Sequence, residues 1–317
     1  MIEQKDMKEY TIETLAEKLD TEFRVKETVD PAMSRFVPMV YDPIDYDWKS
    51  EFEPEFTQYF NGLMITAEED LPVGKIWLLS FLNDYMLEDV LEKSSKGDMI
   101  FAHHPVQMEC GDPREGKEWG KGFIPINPEI IKRIKEKGLS IYTCHAPLDA
   151  GSISGLGTNE SLIKMIGAKQ IDQYMEYAHG YAARICEVPK QTVQELIERL
   201  EIPNLDYIDI KGNKDLDREI TKVAIIPGGG GNVRDIQPAE GFGTEVVITG
   251  QATCRIAGER GERENKALQE FYPQTKMTLI GLSHAGSEYP VMEDIAKWFK
   301  EKFQIEAEAI PENSWWR

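Results

Sequence analysis

The chain has 317 residues, of which 41% are hydrophobic and 29% charged, a composition typical of a protein that buries a core. Its formal charge of −20 argues against binding to nucleic acid through a basic surface and against attachment to anionic membranes. Four widely spaced cysteines, with no apolar leader and no spanning segment, predict a protein of the reducing cytoplasm.

The N-terminal region, residues 1–60, is predicted to form one helix followed by an extended excursion. Apolar residues at helical spacing predict the helix over Thr11–Phe23. The stretch from Val25 to Phe56 is rich in proline, aspartate and aromatic residues. We therefore expect an irregular but ordered segment that packs on the body of the protein or on a partner.

From Gly62 onward, apolar strands alternate with amphipathic helices, which is the pattern of α/β layers. Strands are predicted at Gly62–Thr66, Lys75–Leu82, Met99–Ala102, Leu139–Cys144, Lys222–Ile226, Glu245–Thr249 and Met277–Leu282. Helices are predicted at Tyr85–Ser94, Pro128–Lys137, Gln191–Leu200, Glu262–Phe271 and Val291–Phe303. We expect two α/β subdomains with mixed sheets, over residues 61–168 and 169–317.

Four of the five histidines directly follow predicted buried strands. His103 and His104 follow the strand that ends at Ala102, and His145 and His284 each follow a later strand. In open α/β sheets, ligands bind outside the carboxyl ends of the strands. We therefore expect the three strand ends to bring these histidines to one sheet edge and to form a metal site there.

Two of these histidines have a carboxylate four residues later, as His145 with Asp149 and His284 with Glu288. If either segment forms a helical turn, its imidazole and its carboxylate share one face. Imidazoles combined with carboxylates bind zinc, iron or manganese. About six candidate ligands are too many for one ion, so the residues favour two divalent metal ions per chain that share one carboxylate.

The remaining candidate residues and motifs do not indicate a particular ligand or reaction. His179 has no carboxylate at ligand spacing and is interpreted as structural. The loop Gly228–Gly231 matches neither a P-loop nor a dinucleotide fingerprint, and is either a tight turn or a backbone surface that faces a substrate. Interleaved charges over Arg255–Lys266 indicate a solvated helix face. Trp315 and Trp316 are expected to dock on the body or on a neighbouring subunit.

The three histidine motifs, in this order, resemble those of the NIF-three-like dinuclear metal proteins, a family also known as GTP cyclohydrolase I type 2 homologues. The motifs are His103-His104-Pro105, His145-Ala146-Pro147-Leu148-Asp149 and Ser283-His284-Ala285-Gly286-Ser287-Glu288. Weaker similarities are Asn61-Gly62-Leu63 and Thr249-Gly250. The resemblance covers about Gly62 to Phe303.

The resemblance implies how the candidate ligands divide between two ions, with the segment of about residues 277–303 returning the last motif to the site. One ion would be held by His104, Asp149 and Glu288, and the other by His103, His284 and Glu288. Glu288 would therefore bridge the two ions. His145 would lie beside the site, as a further ligand or as a base that orients water.

The resemblance also implies a two-domain subunit, often assembled as a toroidal hexamer whose metal sites face an internal cavity. We expect a cytoplasmic homohexamer that acts as a metal-dependent hydrolase on an unknown small molecule, for which the family name suggests a nucleotide. The alternative is a non-catalytic metal-binding hexameric scaffold, metal store or partner-binding protein. The segments Val25–Phe56 and Gly111–Ile126 are longer than the common family pattern, and both bear on the shape of the cavity.

Overall fold

A computed structural model describes residues 10–151 and 155–316. The chain divides into two compact units, each assembled from three separate stretches of sequence. Unit 1 comprises Met1–Gln107, Pro125–Leu148 and Met292–Ile310, and unit 2 comprises Met108–Ile124, Asp149–Val291 and Pro311–Arg317.

The secondary structure is mixed α/β throughout. The strands are β1 (Gly62–Ile65), β2 (Ile76–Leu79), β3 (Met99–Ala102), β4 (Gln107–Glu109), β5 (Gly122–Ile124), β6 (Ser140–Thr143), β7 (Lys169–Tyr177), β8 (Gly180–Thr192), β9 (Asp209–Gly212), β10 (Glu219–Ile226), β11 (Val246–Thr249), β12 (Thr278–Gly281) and β13 (Ala307–Ala309). The helices are α1 (Ile12–Glu22), α2 (Met33–Tyr41), α3 (Trp48–Glu51), α4 (Pro54–Tyr59), α5 (Asp84–Lys93), α6 (Pro128–Lys137), α7 (Ala146–Ala150), α8 (Thr158–Ile166), α9 (Val193–Glu198), α10 (Val233–Ile236), α11 (Pro238–Gly241), α12 (Glu259–Phe271) and α13 (His284–Lys302). In the described part of the chain, every helix is too short or too polar to span a membrane.

Unit 1 contains a five-stranded sheet in the order β1-β6-β3-β2-β13. The pairs β6/β3, β3/β2 and β2/β13 are parallel, whereas β1 runs antiparallel to β6. Every residue of β2, β3 and β6 is buried, which is the reason that β2 and β3 read as continuous apolar runs in the sequence, whereas β6 also buries Ser140 and Thr143. The predicted strands of this unit are confirmed to within a few residues at each end.

The capping signals in the sequence predict both ends of α6 correctly. The Asn127 side chain accepts a hydrogen bond from the Glu129 N–H, and Pro128 occupies the first helical position. Gly138 ends the helix in the left-handed conformation, with φ at +76°. The predicted helix and the observed helix therefore have the same bounds.

The excursion from Val25 to Phe56 is ordered as expected, but it is largely helical, so the prediction of an irregular segment is wrong. It contains a short 3-10 helix at Val25–Glu27, then α2, α3 and the start of α4. The helix α2 has Pro38 in its interior, which is a signal against a helix, and α3 has only four residues, too few to show a helical period. The buried face of α2 consists of Met33, Val37, Val40 and Tyr41.

Aromatic rings pack against one another within this segment. The ring centroids of Tyr41 and Phe52 lie 5.3 Å apart, and those of Phe52 and Phe56 lie 5.6 Å apart, both nearly edge to face. Such pairs contribute about 0.5–1.5 kcal/mol beyond the burial of their surface. All three rings are buried, and the Tyr41 hydroxyl accepts a hydrogen bond from the backbone N–H of Ile126, so these rings belong to the core of unit 1.

Unit 2 contains a six-stranded sheet in the order β7-β8-β10-β11-β12-β9. The central strands β10, β11 and β12 are parallel, and the other pairs are antiparallel, so the expectation of mixed sheets is confirmed. The long hairpin β7–β8 was not predicted. Strand β8 runs through Thr192, so the predicted helix over Gln191–Leu200 shortens to Val193–Glu198.

The histidine-bearing strand ends do not share one sheet edge, and that expectation is wrong. Strands β3 and β6 are neighbours in the sheet of unit 1, whereas β12 lies between β11 and β9 in the sheet of unit 2. The pattern of apolar runs identifies strands but does not assign them to sheets. That assignment depends on pairings between residues far apart in the chain.

The last helix begins at His284, seven residues before the predicted start at Val291. Pro290 lies inside the helix, one residue before the predicted start. The segment that carries His284 and Glu288 is therefore helical rather than a loop.

Candidate metal centre

Three of the predicted site residues lie at adjoining strand ends in unit 1. His103 and His104 follow β3, and His145 follows β6 by two residues. These strands are parallel neighbours, with Ala102 opposite Thr143. All three histidines are at most 5% exposed. We call them the imidazole cluster.

Backbone and ring contacts fix two members of the cluster. The Nδ1 atom of His103 lies 2.9 Å from the carbonyl oxygen of Cys144. A carbonyl only accepts hydrogen bonds, so Nδ1 carries the proton and Nε2 carries the lone pair. The His104 ring stacks on Phe81, with the centroids 3.9 Å apart and the planes 4° apart.

The three rings converge. Their centroids are separated by 4.4 Å between His103 and His104, 4.6 Å between His104 and His145, and 4.9 Å between His103 and His145. One nitrogen from each ring lies within 4.8 Å of the others. Three imidazole nitrogens at this separation form a donor set suited to zinc or iron.

His145 is held by an aspartate that the sequence analysis did not single out. Asp30, in the N-terminal segment of unit 1, places Oδ2 2.8 Å from Nδ1 of His145. The backbone N–H of His145 donates to Oδ1 of Asn61 over 2.6 Å, and Nδ2 of Asn61 donates back to Asp30. Asn61 belongs to the weak motif, but no ligand spacing in the sequence points to Asp30.

The Asp30 carboxyl is fully buried, yet its pKa lies below the ordinary aspartate value. Burial alone would raise that pKa. The positive charge that His145 can carry and the hydrogen bonds from His145, Met33 and Ala32 outweigh burial and lower it. Asp30 is therefore a carboxylate at neutral pH.

In unit 2, His284 and Glu288 occupy successive turns at the start of α13. His284 Nε2 lies 3.3 Å from Oε1 of Glu288, and both side chains are buried. The condition set by the sequence, a helical turn that brings imidazole and carboxylate to one face, is met here. We call these two residues the His284–Glu288 pair.

The turn before α13 is held by serine side chains. Ser283 has a φ of +67°, and its hydroxyl accepts a hydrogen bond from the Gly286 N–H over 2.9 Å. The Ser287 hydroxyl donates to the carbonyl of His284 and accepts from the N–H of Gly228, each over 2.8 Å. These contacts tie the pair to the glycine loop that follows β10.

That loop, Gly228–Gly231, lies directly against the His284–Glu288 pair. A Cβ atom on Gly228 would be 2.3 Å from Oε1 of Glu288 and 3.1 Å from Nε2 of His284, and the φ of Gly228 is +64°. A Cβ on Gly231 would overlap the backbone of Gln251. The glycines are therefore required for close packing, and one of them borders the pair itself.

Asp149, the remaining predicted ligand, is partly buried in unit 2, near the end of α7. Its Oδ1 accepts a hydrogen bond from the Thr158 hydroxyl over 3.3 Å. The buried Arg184 donates to the carbonyl oxygens of Ala150 at 2.8 Å and Gly151 at 3.0 Å, and so fixes the backbone that follows Asp149. No pattern in the sequence predicts this role of Arg184.

The other histidine and the C-terminal tryptophans also lie in unit 2. His179 lies in the turn between β7 and β8, apart from the groups described above in sequence and in element. The indole N–H of Trp315 donates to the carbonyl of Pro203, and that of Trp316 donates to the carbonyl of Tyr207. Of the two alternatives for the tail, docking on its own chain is the one observed.

A family model for Duf34/NIF3 (NGG1p interacting factor 3) matches residues 60–314. A curated relative from Clostridium perfringens, named a GTP cyclohydrolase 1 type 2 homolog, is 23% identical over 253 residues, 78% of this chain and 86% of the relative. A Schizosaccharomyces pombe relative, named a NIF3 homolog, is 30% identical over 202 residues, 58% of this chain and 68% of the relative.

Solved structures agree on the fold. The crystal structure of Staphylococcus aureus protein SA1388 superimposes with a TM-score of 0.60 over 96% of this chain and 97% of that one. The sequences are 18% identical, so this similarity concerns the fold alone. Together the comparisons confirm the family that the histidine motifs indicated.

Proposed function

Because the chain belongs to the Duf34/NIF3 family and buries three converging imidazoles, we propose that it is a metal-dependent hydrolase with two metal ions per chain. The proposed substrate is a small molecule, and the proposed assembly is a cytoplasmic homohexamer. The observation that supports this most strongly is the imidazole cluster, because nitrogens of His103, His104 and His145 lie within 4.8 Å of one another and so place two metal ligands and a base close together.

The ligand assignment that we propose is the one implied by the family motifs. One ion takes His104, Asp149 and Glu288, and the second takes His103, His284 and Glu288. Glu288 then bridges the ions, and His145 serves as the base. The assignment draws on all three motifs and leaves each ion a position for water.

The side chains present fit such ions chemically. His103 already has its proton on Nδ1, so the nitrogen that it offers to a metal is Nε2. In unit 2, the absence of a side chain on Gly228 lets the loop backbone lie directly beside Oε1 of Glu288 and Nε2 of His284. A nitrogen donor beside a carboxylate oxygen suits zinc, iron or manganese.

When bound, paired divalent ions lower the pKa of a shared water and polarise the group that it attacks. The residues of this chain would then supply orientation and proton transfer. His145 accepts the proton of the attacking water at Nε2, and the Asp30 carboxylate stabilises the imidazolium that forms. The buried position of the cluster keeps competing water away.

A nucleotide is the substrate class that we propose to test first. The support is the name of the Clostridium perfringens relative and the glycine loop beside the His284–Glu288 pair. Glycine loops let a phosphate or carbonyl group approach the backbone closely.

A non-catalytic metal-binding scaffold is the second candidate. The observation that favours it is the burial of the imidazole cluster, because closed donor sets are typical of structural metal sites and catalytic sites keep an open position. In that case the ions would stabilise the protein or be stored, and no substrate would be turned over.

Two measurements on the full-length protein test the proposal. Elemental analysis after expression in metal-replete medium should find about two transition-metal ions per chain. A folded sample that holds none contradicts both candidates. Chromatography of a nucleotide panel incubated with metal-loaded and chelated protein then separates hydrolase from scaffold.

A histidine substitution sharpens the second measurement. We expect His145→Gln to abolish hydrolysis while most of the metal remains bound, and the matched control His179→Gln to change neither. Metal binding without turnover of any nucleotide by the wild-type protein supports the scaffold instead.

A further inference from the structure

Asp30 belongs to the segment between α1 and α4, for which the family motifs assign no role. Its carboxylate accepts hydrogen bonds on both oxygens. Oδ1 accepts from the backbone N–H groups of Ala32 at 2.9 Å and Met33 at 2.7 Å. Oδ2 accepts from the backbone N–H of Ala146 at 2.9 Å and from Nδ2 of Asn61 at 3.2 Å.

Asp30 also contacts His145. The four neighbouring atoms named above are donors by their chemistry, and an ionised carboxylate has only acceptor sites. The contact of Oδ2 with Nδ1 of His145, at 2.8 Å, is therefore a hydrogen bond in which Nδ1 donates. A neutral imidazole has one N–H, so its lone pair then lies on Nε2.

We infer that Asp30 is a positioning residue that holds His145 as the Nδ1–H tautomer and directs its Nε2 lone pair toward the reaction. The proton transfer that Asp30 would assist depends on the proposed function, whereas the tautomer of His145 is inferred from the hydrogen-bond geometry alone. In the step that it serves, an O–H bond of water breaks and leaves its electron pair on oxygen. The proton forms a new bond with the Nε2 lone pair, and the imidazolium stays paired with the Asp30 carboxylate.

The inference gives the N-terminal segment a function. Asp30 stands 115 positions before His145 in the sequence, and it is anchored by the first backbone N–H groups of α2. Asn61 closes the arrangement, because it contacts both the Asp30 carboxylate and the backbone of His145. The segment therefore positions a reactive side chain as well as covering the core.

The test is the tautomer of His145, read by long-range nitrogen–proton NMR on the full chain labelled at histidine. The chain has only five histidines, and a His145→Gln spectrum identifies the signal. Spectra are taken as purified and after chelation, at a pH about two units above the usual imidazole pKa of about 6.5. We expect the wild-type protein to show the Nδ1–H tautomer, and an Nε2–H tautomer there would overturn the inference without any variant at Asp30.

The variant Asp30→Asn then tests the cause. The single oxygen of the asparagine can still accept from the N–H groups of Ala32 and Met33. The amide N–H₂ then faces the donors that surrounded Oδ2 of Asp30. His145 should respond by moving its proton to Nε2, so the Nδ1–H form should fall from nearly the whole population to a minority. An unchanged tautomer in a folded D30N protein contradicts the inference.

A matched control exists in the same unit. Asp98 is also buried and accepts from the backbone N–H groups of Lys75 and Ser95 and from the indole of Trp77. Asp98→Asn should lower stability by a similar amount and leave the His145 tautomer unchanged. A shift of equal size in both variants would mean a general structural effect and would refute a specific role for Asp30.

The tautomer and the metal content report on different claims. If the protein holds no metal but His145 responds as expected, the proposed function fails and the positioning role stands. If metal is bound and the tautomer does not depend on Asp30, the positioning role fails and the proposed metal site stands.

Discussion

The imidazole cluster and the His284–Glu288 pair are built in opposite ways. The cluster is held by contacts between distant parts of the chain, namely His145 with Asp30 and His103 with Cys144, 115 and 41 positions apart. The pair is local, with two side chains four residues apart on one helix. The cluster therefore depends on the folding of unit 1, whereas the pair depends on the helix and on the loop beside it.

In the proposed assignment, each ion takes ligands from both groups. One ion takes one histidine and two carboxylates, and the other takes two histidines and one carboxylate. The set with two histidines favours zinc or iron, whereas the set with two carboxylates also suits manganese. The two ions can therefore differ in identity or in affinity.

The largest effect is expected when the cluster loses both histidines of its His-His motif. In the proposed assignment each ion takes one of them, so the double variant His103→Gln/His104→Gln should lose nearly all bound metal. Loss of an outer hydrogen-bond partner already weakens metal binding by about 10–100-fold, and the loss of two direct ligands should cost more. Elemental analysis measures the bound metal of the double variant and of the His179→Gln control. A metal content near the wild-type value in the double variant would contradict the assignment.

A smaller effect is expected in the pair. Glu288→Ala should reduce the occupancy of both ions, because Glu288 bridges them in the proposed assignment, whereas His284→Ala should mainly weaken one. Titration of the chelated variants with zinc or manganese gives the number of sites and their affinities. Equal losses in the two variants would exclude the bridging role.

The different construction of the two groups explains what the sequence could predict. The i, i+4 spacing of His284 and Glu288 and the adjacent His103 and His104 are visible in the chain, and buried strands follow from continuous apolar runs. Asp30 is not visible, because its partner lies 115 positions away and no periodicity links them. Sheet membership was mispredicted for the same reason.

Two further differences concern α13 and the hairpin β7–β8. The helix α13 begins at His284, seven residues before the predicted start at Val291, and contains Pro290. The hairpin β7–β8 was missed, since the outer strand β7 is mostly exposed and shows no clear apolar alternation. In both cases the local apolar pattern does not show the element.

A substitution in the glycine loop tests whether the pair depends on its neighbours. Gly228→Ala puts a Cβ 2.3 Å from Oε1 of Glu288 and also forces alanine into a positive φ, which costs about 1–2 kcal/mol. We expect lower stability together with a weaker metal affinity.

The control for this variant is Gly116→Ala. Gly116 has a similar φ of +76°, but a Cβ there meets no atom within 4 Å. Thermal unfolding of Gly116→Ala should show a similar loss of stability, and its metal affinity should be unchanged. If both variants bind metal equally well, the contact of the loop with the pair has no functional weight.

The smallest effect concerns assembly, where we expect no change on alteration of the C-terminal tail. The proposed hexamer must form despite a charge of −20 per chain, so its contact surfaces should be apolar at the centre and poor in charge. Trp316 is not available for that purpose, since it is 4% exposed and its indole N–H donates to Tyr207 within unit 2. Light scattering at low micromolar concentration in moderate salt should therefore give a hexamer mass for the wild-type protein and for Trp316→Phe alike. A monomeric wild-type protein contradicts the hexamer, and a smaller assembly in Trp316→Phe alone would make the tail a subunit contact.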